Sequence, residues 1–337
     1  MTSVVETAEF FAACNVLIVA GKGGVGKTTV GASLGIAAAR SGSDVLLVEL
    51  EGHSNLGALL GQSQLAYDEV VIELPDDPSG RLRARQIRPD DALTDYLDRA
   101  GLGPISGRLG RSGAMEVVVT AAPGIRDLLT LGKIRQLEQA GDADLIIVDA
   151  PAAGHALTFL TAAAGLAAST ASGPIREQAD LVLEMFADDK RCQVMLVTLP
   201  EETPVTETIE TAFALEEDVG IKLGPVVVNG VWPAVEGLAE ALAAHGGSEG
   251  ASGSEGAGGS GSGRSHGSDG SKLEPALQAA TYRMARIEDQ QTEVARLADE
   301  LPLDQIHLPF LFRTELSMME IDRLAESLTE RLTGASS

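Results

Sequence analysis

The chain has 337 residues, of which 44% are hydrophobic and only 3% aromatic, so its core must be built from Val, Leu, Ile and Ala. Its formal net charge of −24 argues against free DNA and anionic membranes as partners of the whole surface, while a local phosphate pocket remains compatible with it. The two cysteines, Cys14 and Cys192, lie far apart outside any C-x-x-C spacing, so a disulfide framework, a zinc site and an iron–sulfur cluster lack support.

The amino-terminal residues 1–13 do not resemble a secretory signal, because they carry Glu6 and Glu9 and no Lys or Arg. The sequence also lacks a run of about 18 apolar residues, so we expect no transmembrane helix. We therefore expect a cytoplasmic protein that does not insert into membranes.

Short apolar runs alternate with helical patterns along the chain. Six of these runs are predicted strands: Asn15–Ala20, Asp44–Leu50, Asp144–Asp149, Gln193–Thr198, Pro225–Asn229 and Ile306–Phe312. An Ala-rich helix is predicted over Thr28–Ser41, directly after the first strand. Strands that are separated by helices predict βαβ crossovers, and runs that are apolar on both faces predict a sheet covered on both sides. The predicted fold class is α/β, a mainly parallel twisted sheet flanked by helices.

Two segments depart from this alternation. Residues 89–140 combine helix-like stretches with a Gly/Arg-rich stretch, and we expect them to form a small helical cap outside the sheet. Residues 246–272 contain 11 Gly and 8 Ser and therefore few apolar side chains. Burial of so few apolar groups cannot offset the conformational entropy lost on ordering, so we expect a disordered surface insertion. A helical pattern resumes at Leu273, which favours a single domain spanning residues 1–337.

The most specific motif follows the first strand. Residues 21–29 read Gly-Lys-Gly-Gly-Val-Gly-Lys-Thr-Thr and match the P-loop pattern between a strand and a helix. Glycines let backbone N–H groups point at phosphates, and the helix N-terminus favours negative charge. We expect Lys27 to neutralise the terminal phosphates of ATP and the Thr28 hydroxyl to bind Mg²⁺. The predicted nucleotide contacts of the loop are Gly21, Gly23, Gly24, Val25, Gly26, Lys27, Thr28 and Thr29.

Lys22 occupies the second position of the loop, which identifies the deviant Walker A form G-K-G-G-x-G-K-T-T. In proteins with this loop, the additional lysine reaches the nucleotide that the facing subunit holds. The motif therefore implies a dimer with nucleotides at its interface, and a solvated surface lysine is the alternative.

The chain resembles the ATPases of the ArsA and guided-entry-of-tail-anchored-proteins family. Residues 149–160 read Asp-Ala-Pro-Ala-Ala-Gly-His-Ala-Leu-Thr-Phe-Leu and are similar to the switch II segment of that family. The resemblance implies that Asp149 holds a water bound to Mg²⁺ and that the N–H of Gly154 contacts the γ-phosphate. Residues 122–133 are similar to actinobacterial members that occur as paired ATPases.

Two weaker matches concern the nucleotide base. Asn229, at the end of a predicted strand, resembles the asparagine with which the family recognises adenine, although asparagine in that position is also a common turn former. Pro309 and Phe310 resemble the late loop that packs on the base in this family.

Switch I departs from the family pattern. The family reads D-P-A-H-N-L and its aspartate activates the attacking water, whereas residues 51–56 here read Glu-Gly-His-Ser-Asn-Leu. Glu51 adds a methylene, which shifts the water, and positioning dominates phosphoryl transfer. The departure implies slow hydrolysis, or a subunit that works beside an intact partner. Glu49 is an alternative catalytic carboxylate, and Glu51 as a solvated loop residue is a third interpretation.

The resemblance implies an ATP-hydrolysing dimeric switch, either a homodimer or a heterodimer with a related ATPase, with an unidentified client protein and no nucleic acid partner. The alternatives are a weakly active partner subunit, a tail-anchored-protein chaperone and a partitioning ATPase. The chaperones use a C-x-x-C zinc clamp and a Met-rich groove, which this sequence lacks. A partitioning ATPase needs a basic face or a membrane-targeting tail, whereas residues 315–334 predict an acidic solvated helix.

Overall fold

The structure, a computed structural model, describes residues 2–50, 55–76, 78–99, 124–151, 153–246 and 270–334. Its helices are α1 (Thr2–Phe11), α2 (Lys27–Arg40), α3 (Leu56–Leu59), α4 (Pro89–Arg99), α5 (Ile125–Ala140), α6 (Ala153–Ser169), α7 (Pro174–Phe186), α8 (Glu202–Asp218), α9 (Leu238–Gly246), α10 (Gly270–Glu300) and α11 (Met318–Gly334). Its strands are β1 (Val16–Gly21), β2 (Val45–Leu50), β3 (Val70–Ile72), β4 (Leu82–Ile87), β5 (Leu145–Asp149), β6 (Cys192–Thr198), β7 (Lys222–Leu223), β8 (Val226–Val231) and β9 (Gln305–Pro309).

The strands of the described residues form one sheet in the order β3-β4-β2-β5-β1-β6-β8-β9, with the short β7 paired to β6. All neighbouring strands run parallel except β3, which pairs antiparallel with β4 at one edge. The carboxyl ends of the parallel strands therefore meet along one side of the sheet. This side is where ligands bind in open α/β sheets.

Helices cover both faces of the sheet, because successive apolar residues of a strand point to opposite sides. Val16 and Ile18 of β1 pack into the core beneath α5, α6, α7 and α8. Leu17 and Val19 pack into a second core beneath α1, α2 and α11. The fully apolar strands of the sequence are thus explained by burial on both faces, and the predicted α/β fold class is confirmed.

All six predicted strands are present, with ends displaced by at most three residues. Three further strands, β3, β4 and β7, were not predicted from the sequence. The strand β4 reads Leu-Arg-Ala-Arg-Gln-Ile. Its two arginines interrupt the apolar pattern from which a buried strand is predicted. Arg83 and Arg85 are compensated by Glu69, which forms ion pairs with both, so a strand with two arginines lies inside the sheet.

The expected cap and insertion fall partly or wholly outside the described residues. Of the cap, α4 and α5 are described and residues 100–123 are not. The helix α5 packs on the sheet core through Leu131 and Ile134, both fully buried. Residues 247–269, nearly all of the Gly/Ser-rich insertion, also lie outside the described residues, so both expectations stay predictions.

The carboxyl-terminal helix differs from the acidic solvated helix that the sequence predicts. One face of α11 is buried against the core beneath α2, through Ile321, Leu324 and Leu328. Glu326 and Glu330 are exposed, so the helix is amphipathic. Glu320 is nonetheless buried, at 4% exposure. No helix among the described residues is long and apolar enough to cross a bilayer.

Candidate nucleotide-binding site

The P-loop connects the end of β1 to the start of α2 at the carboxyl side of the sheet, and two of its glycines are sterically required. Gly21 has φ +151°, and a Cβ there would lie 2.2 Å from the Val197 carbonyl oxygen. Gly26 has φ +91°, and its Cβ would lie 2.3 Å from Asn229 Nδ2. Both positions therefore combine a backbone conformation that disfavours side chains with a close neighbour.

The remaining loop residues differ in their exposure to solvent. Gly23 and Gly24 are exposed at the tip of the loop, and Gly24 has φ +88° with open space around it. Val25 is buried in the core beneath α2 and fixes the base of the loop. Thr29 lies in the first turn of α2, where its carbonyl oxygen accepts a hydrogen bond from Ser33 Oγ at 2.9 Å. The exposed tip leaves loop N–H groups accessible to a phosphate.

Lys27 and Lys22 lie close together in the loop. The buried Lys27 ammonium donates a hydrogen bond to the Lys22 carbonyl oxygen at 3.0 Å. Burial lowers the pKa of Lys27, while the negative charge of Asp149 acts to raise it. An anionic phosphate at this position would replace the carbonyl as a stronger partner of the ammonium group.

Thr28 and Asp149 are 121 residues apart in sequence and meet at the carboxyl side of the sheet. The Thr28 hydroxyl donates a hydrogen bond to Asp149 Oδ2 at 2.7 Å, and Asp149 is only 4% exposed. A hydroxyl and a carboxylate side by side are the hard oxygen groups that Mg²⁺ prefers. The residues present therefore fit the cation, which Thr28 would bind directly and Asp149 would bind through water.

The side chain of Lys22 does not point freely into solvent. Its ammonium group lies 2.6 Å from Glu207 Oε1 on α8, and both side chains are about one-third exposed, at 34% and 37%. The sequence offered no signal for this pair, since the two residues are 185 positions apart. The lysine that is expected to reach a facing subunit is thus held within its own chain.

The residues expected near the base lie at the ends of β8 and β9. Asn229 Nδ2 donates a hydrogen bond to the Val25 carbonyl oxygen at 2.8 Å, which ties β8 to the P-loop. Pro309 ends β9, and Phe310 N donates to the Val231 carbonyl oxygen at 2.8 Å. The structure therefore brings Asn229 and Phe310 to the same end of the sheet as the loop.

An aromatic cluster that the sequence reasoning missed surrounds Phe310. The ring of Trp232 lies 5.7 Å from that of Phe310 and 5.2 Å from that of Phe312. The Arg283 guanidinium lies over both Trp232 and Phe312, 5.7 and 5.1 Å from the ring centroids. The signal available in the sequence was a tryptophan three positions after Asn229.

Switch I and switch II are described in part. Glu51 lies outside the described residues, as do residues 52–54. Gly154 lies in the first turn of α6, where backbone N–H groups have no partner within the helix. Glu49 is buried at the end of β2, where its Oε1 accepts a hydrogen bond from Leu56 N at 3.1 Å and its Oε2 one from Gln86 Nε2 at 3.3 Å.

Comparison with known proteins identifies the family of the chain. The family model of the anion-transporting ATPases (ArsA) matches residues 14–170. ATPase BagA of Mycobacterium tuberculosis is 32% identical over 322 residues, which cover 93% of this chain and 92% of that protein. ATPase GET3B of Arabidopsis thaliana is 25% identical and matches 63% of each chain. An arsenical pump-driving ATPase of Escherichia coli is 28% identical over 68% of this chain and 41% of its own length. The chain therefore belongs to the ArsA family of anion-transporting ATPases.

Proposed function

We propose that this protein binds ATP with Mg²⁺, hydrolyses it, and uses the cycle to open and close a dimer that acts on a client protein. The observation that carries the proposal is the contact between the Thr28 hydroxyl and Asp149 Oδ2 at 2.7 Å, directly beside a P-loop. A hydroxyl and a buried carboxylate side by side, next to a P-loop, support a Mg²⁺ site at the terminal phosphates of a nucleotide. Membership in a family of ATPases supports the same activity.

Each residue of the site has a defined part in this proposal. The loop N–H groups and Lys27 bind the phosphates, the Thr28 hydroxyl and Asp149 hold the cation, and Gly154 N–H contacts the γ-phosphate. When bound, Mg²⁺ offsets the negative charge that the phosphates develop during transfer. Asn229 and Phe310 contact the adenine base, and Pro309 shapes the start of that loop.

The dimeric part of the proposal rests on Lys22. Its place in the loop matches the lysine that reaches a facing nucleotide in relatives with the same motif. Phosphate oxygens of a facing nucleotide offer more negative charge than the single carboxylate of Glu207 that holds this lysine at 2.6 Å. Binding of ATP by one subunit therefore favours transfer of Lys22 to the other subunit's nucleotide.

The test is to measure ATP hydrolysis and nucleotide binding for the wild type and for Lys27→Ala. We expect the substitution to lower kcat/KM at least about 100-fold, since it removes a charge that stabilises the transferring phosphate. Lys222→Ala, which changes an exposed lysine of β7, is the matched control and should behave like the wild type. Equal activity of Lys27→Ala and Lys222→Ala would refute the assigned site. Sedimentation of the wild type with and without ATP and Mg²⁺ tests the dimer.

A second candidate function is a weakly active partner subunit of a paired ATPase. It is favoured by Glu51, because a glutamate stands where the family carries aspartate. Single-turnover hydrolysis by Glu51→Asp, compared with the wild type, separates the two candidates. A marked gain in rate supports the partner-subunit role, whereas an unchanged or lower rate supports an active switch that already uses glutamate.

A further inference from the structure

The strand β8 runs past its neighbour β6 at the carboxyl side of the sheet. The pairing of the two strands ends at Thr198 and Val228, where β6 itself ends. The last residues of β8, 229–231, therefore extend beyond β6. Buried backbone N–H and C=O groups that a sheet does not pair need other hydrogen-bond partners. Because this end of β8 carries Asn229, the proposed adenine contact, those partners bear on the nucleotide site.

The side chain of Gln290 on α10 supplies two of these partners. Its Oε1 accepts a hydrogen bond from Trp232 N at 2.8 Å, and its Nε2 donates one to the Gly230 carbonyl oxygen at 3.2 Å. In a parallel sheet, a residue of the neighbouring strand donates to the carbonyl before its partner and accepts from the N–H after it. The carboxamide of Gln290, only 3% exposed, thus takes the place of one strand residue opposite Val231.

The same stretch of β8 contains a β-bulge on the side of β9. Between two paired positions, Val228 and Val231, β8 has one residue more than β9. Gly230 lies in this bulge with φ +74°, a conformation that glycine adopts without strain. A bulge changes the direction of nearby side chains. Phe310 N, which donates to the Val231 carbonyl oxygen at 2.8 Å, holds the bulge from β9, and Gln290 holds it from α10.

Asn229 is the side chain whose direction this bulge sets. Its Nδ2 donates to the Val25 carbonyl oxygen at 2.8 Å, so Oδ1 is the acceptor that the side chain offers. In the proposed complex, Oδ1 accepts a hydrogen bond from the amino group of adenine, whereas guanine carries an acceptor oxygen at that position. Discrimination between the two bases therefore depends on where the end of β8 holds Asn229.

We propose that Gln290 is a positioning residue for base recognition, and that its carboxamide holds the bulge of β8 so that Asn229 selects adenine over guanine. The inference rests on the proposed ATP-binding function. It adds a residue of α10 that lies outside the P-loop and both switch motifs, and that acts through the backbone of Gly230 and Trp232.

The test replaces Gln290 with methionine, which has a similar length and a high helix propensity but no N–H donor and only a weak acceptor. Gln291→Met, at the next and exposed glutamine of α10, is the matched control. Binding of ADP and of GDP is measured by calorimetry, because the two nucleotides differ only in the base. Partial unfolding affects both nucleotides alike, so the ratio of their affinities reports on base recognition.

We expect Gln290→Met to weaken ADP binding at least about fivefold and GDP binding less than about twofold, since the phosphate contacts of the P-loop are retained. In hydrolysis assays, KM for ATP should rise by a similar factor while kcat changes less than about twofold. Gln291→Met should keep the selectivity and KM of the wild type. A wild-type ratio of affinities in Gln290→Met, including an equal loss for both nucleotides, would overturn the proposal.

Hydrogen exchange without nucleotide tests the contact itself. The Trp232 amide should exchange at least about tenfold faster in Gln290→Met than in the wild type or Gln291→Met, because it loses its acceptor. Unchanged exchange would contradict the role of Gln290. A wild type that binds neither nucleotide would refute the proposed function and this role with it, whereas a selective wild type whose selectivity survives in Gln290→Met would refute the role of Gln290 alone.

Discussion

In the proposed dimer, the ion pair between Lys22 and Glu207 within each subunit weakens ATP-dependent association. If Lys22 must reach the nucleotide of a facing subunit, it has to leave a carboxylate that lies 2.6 Å from its ammonium group. Glu207→Gln removes the charge of that carboxylate while preserving the size of the side chain. The substitution should therefore release Lys22 and strengthen assembly in the presence of ATP.

The size of this effect follows from the exposure of the pair. Both side chains are about one-third exposed, at 34% and 37%, so the pair contributes about 0.2–1 kcal/mol. A symmetric dimer breaks two such pairs, one in each subunit, which doubles the contribution. The dissociation constant of the ATP-bound dimer should then fall roughly 2- to 30-fold in Glu207→Gln. Salt screens an exposed pair, so the gain should shrink as the ionic strength rises.

Sedimentation equilibrium with Mg²⁺ and ATP, or with a non-hydrolysable ATP analogue if turnover is fast, measures this constant. Glu210→Gln, an exposed position on the same helix, is the matched control, since it removes an equal charge from the surface. Glu207→Gln should exceed Glu210→Gln in its effect. A dimer of Glu207→Gln that is no tighter than that of Glu210→Gln would refute the reasoning, because general charge repulsion would then explain any gain.

Three further predictions concern single residues. Gly26→Ala should weaken ADP binding at least about tenfold by calorimetry, because the new Cβ would lie 2.3 Å from Asn229 Nδ2. Gly80→Ala should lower the free energy of unfolding in urea by about 2–4 kcal/mol, since its Cβ would lie 2.2 Å from the Ser43 carbonyl oxygen. Burial and the nearby Arg331 lower the pKa of His307, so the unfolded chain binds the extra proton first and stability falls as the pH drops below about 6.5. His307→Gln should flatten that fall in urea titrations at pH 7 and pH 5.5.

Each glycine substitution has a control at another glycine where an added Cβ meets no neighbouring atom. Gly24 also has a positive φ, but a Cβ there meets open space, so Gly24→Ala should weaken ADP binding less than Gly26→Ala. Gly165 lies inside α6 with nothing within 4 Å, so Gly165→Ala should not destabilise the protein. Equal effects within either pair would contradict the steric explanation, and an unchanged pH dependence in His307→Gln would contradict the assignment to His307.

The sequence predicted those parts of the fold in which local pattern and burial agree. The run Asp144–Asp149 is apolar on both faces and became the strand β5, next to β1, as a covered parallel sheet requires. The strand β4 was not predicted because its two arginines, Arg83 and Arg85, are compensated within the sheet by ion pairs with Glu69, which lies outside the strand. Local composition cannot reveal such a compensating partner.

The same distinction applies to the site. Thr28 and Asp149 were each expected to serve Mg²⁺, the first from the P-loop pattern and the second from the resemblance of switch II, and the structure places them in contact. The contact of Lys22 with Glu207 depends on the packing of α8, and the contact of Glu49 with Gln86 depends on the register of β4. A sequence motif predicts neither. These two contacts therefore required the fold as well as the sequence.

The aromatic cluster beside Asn229 also gives the protein a spectroscopic reporter of its own. Trp232 is the one tryptophan in the sequence, and its ring contacts Phe310, which is proposed to pack on the adenine base. Its backbone N–H donates to the Gln290 side chain at 2.8 Å, which fixes its position against α10. Emission from tryptophan therefore reports on one place in the molecule, and adenine nucleotides should quench or shift it where tripolyphosphate does not. Occupancy of the site becomes measurable by fluorescence without attaching a dye.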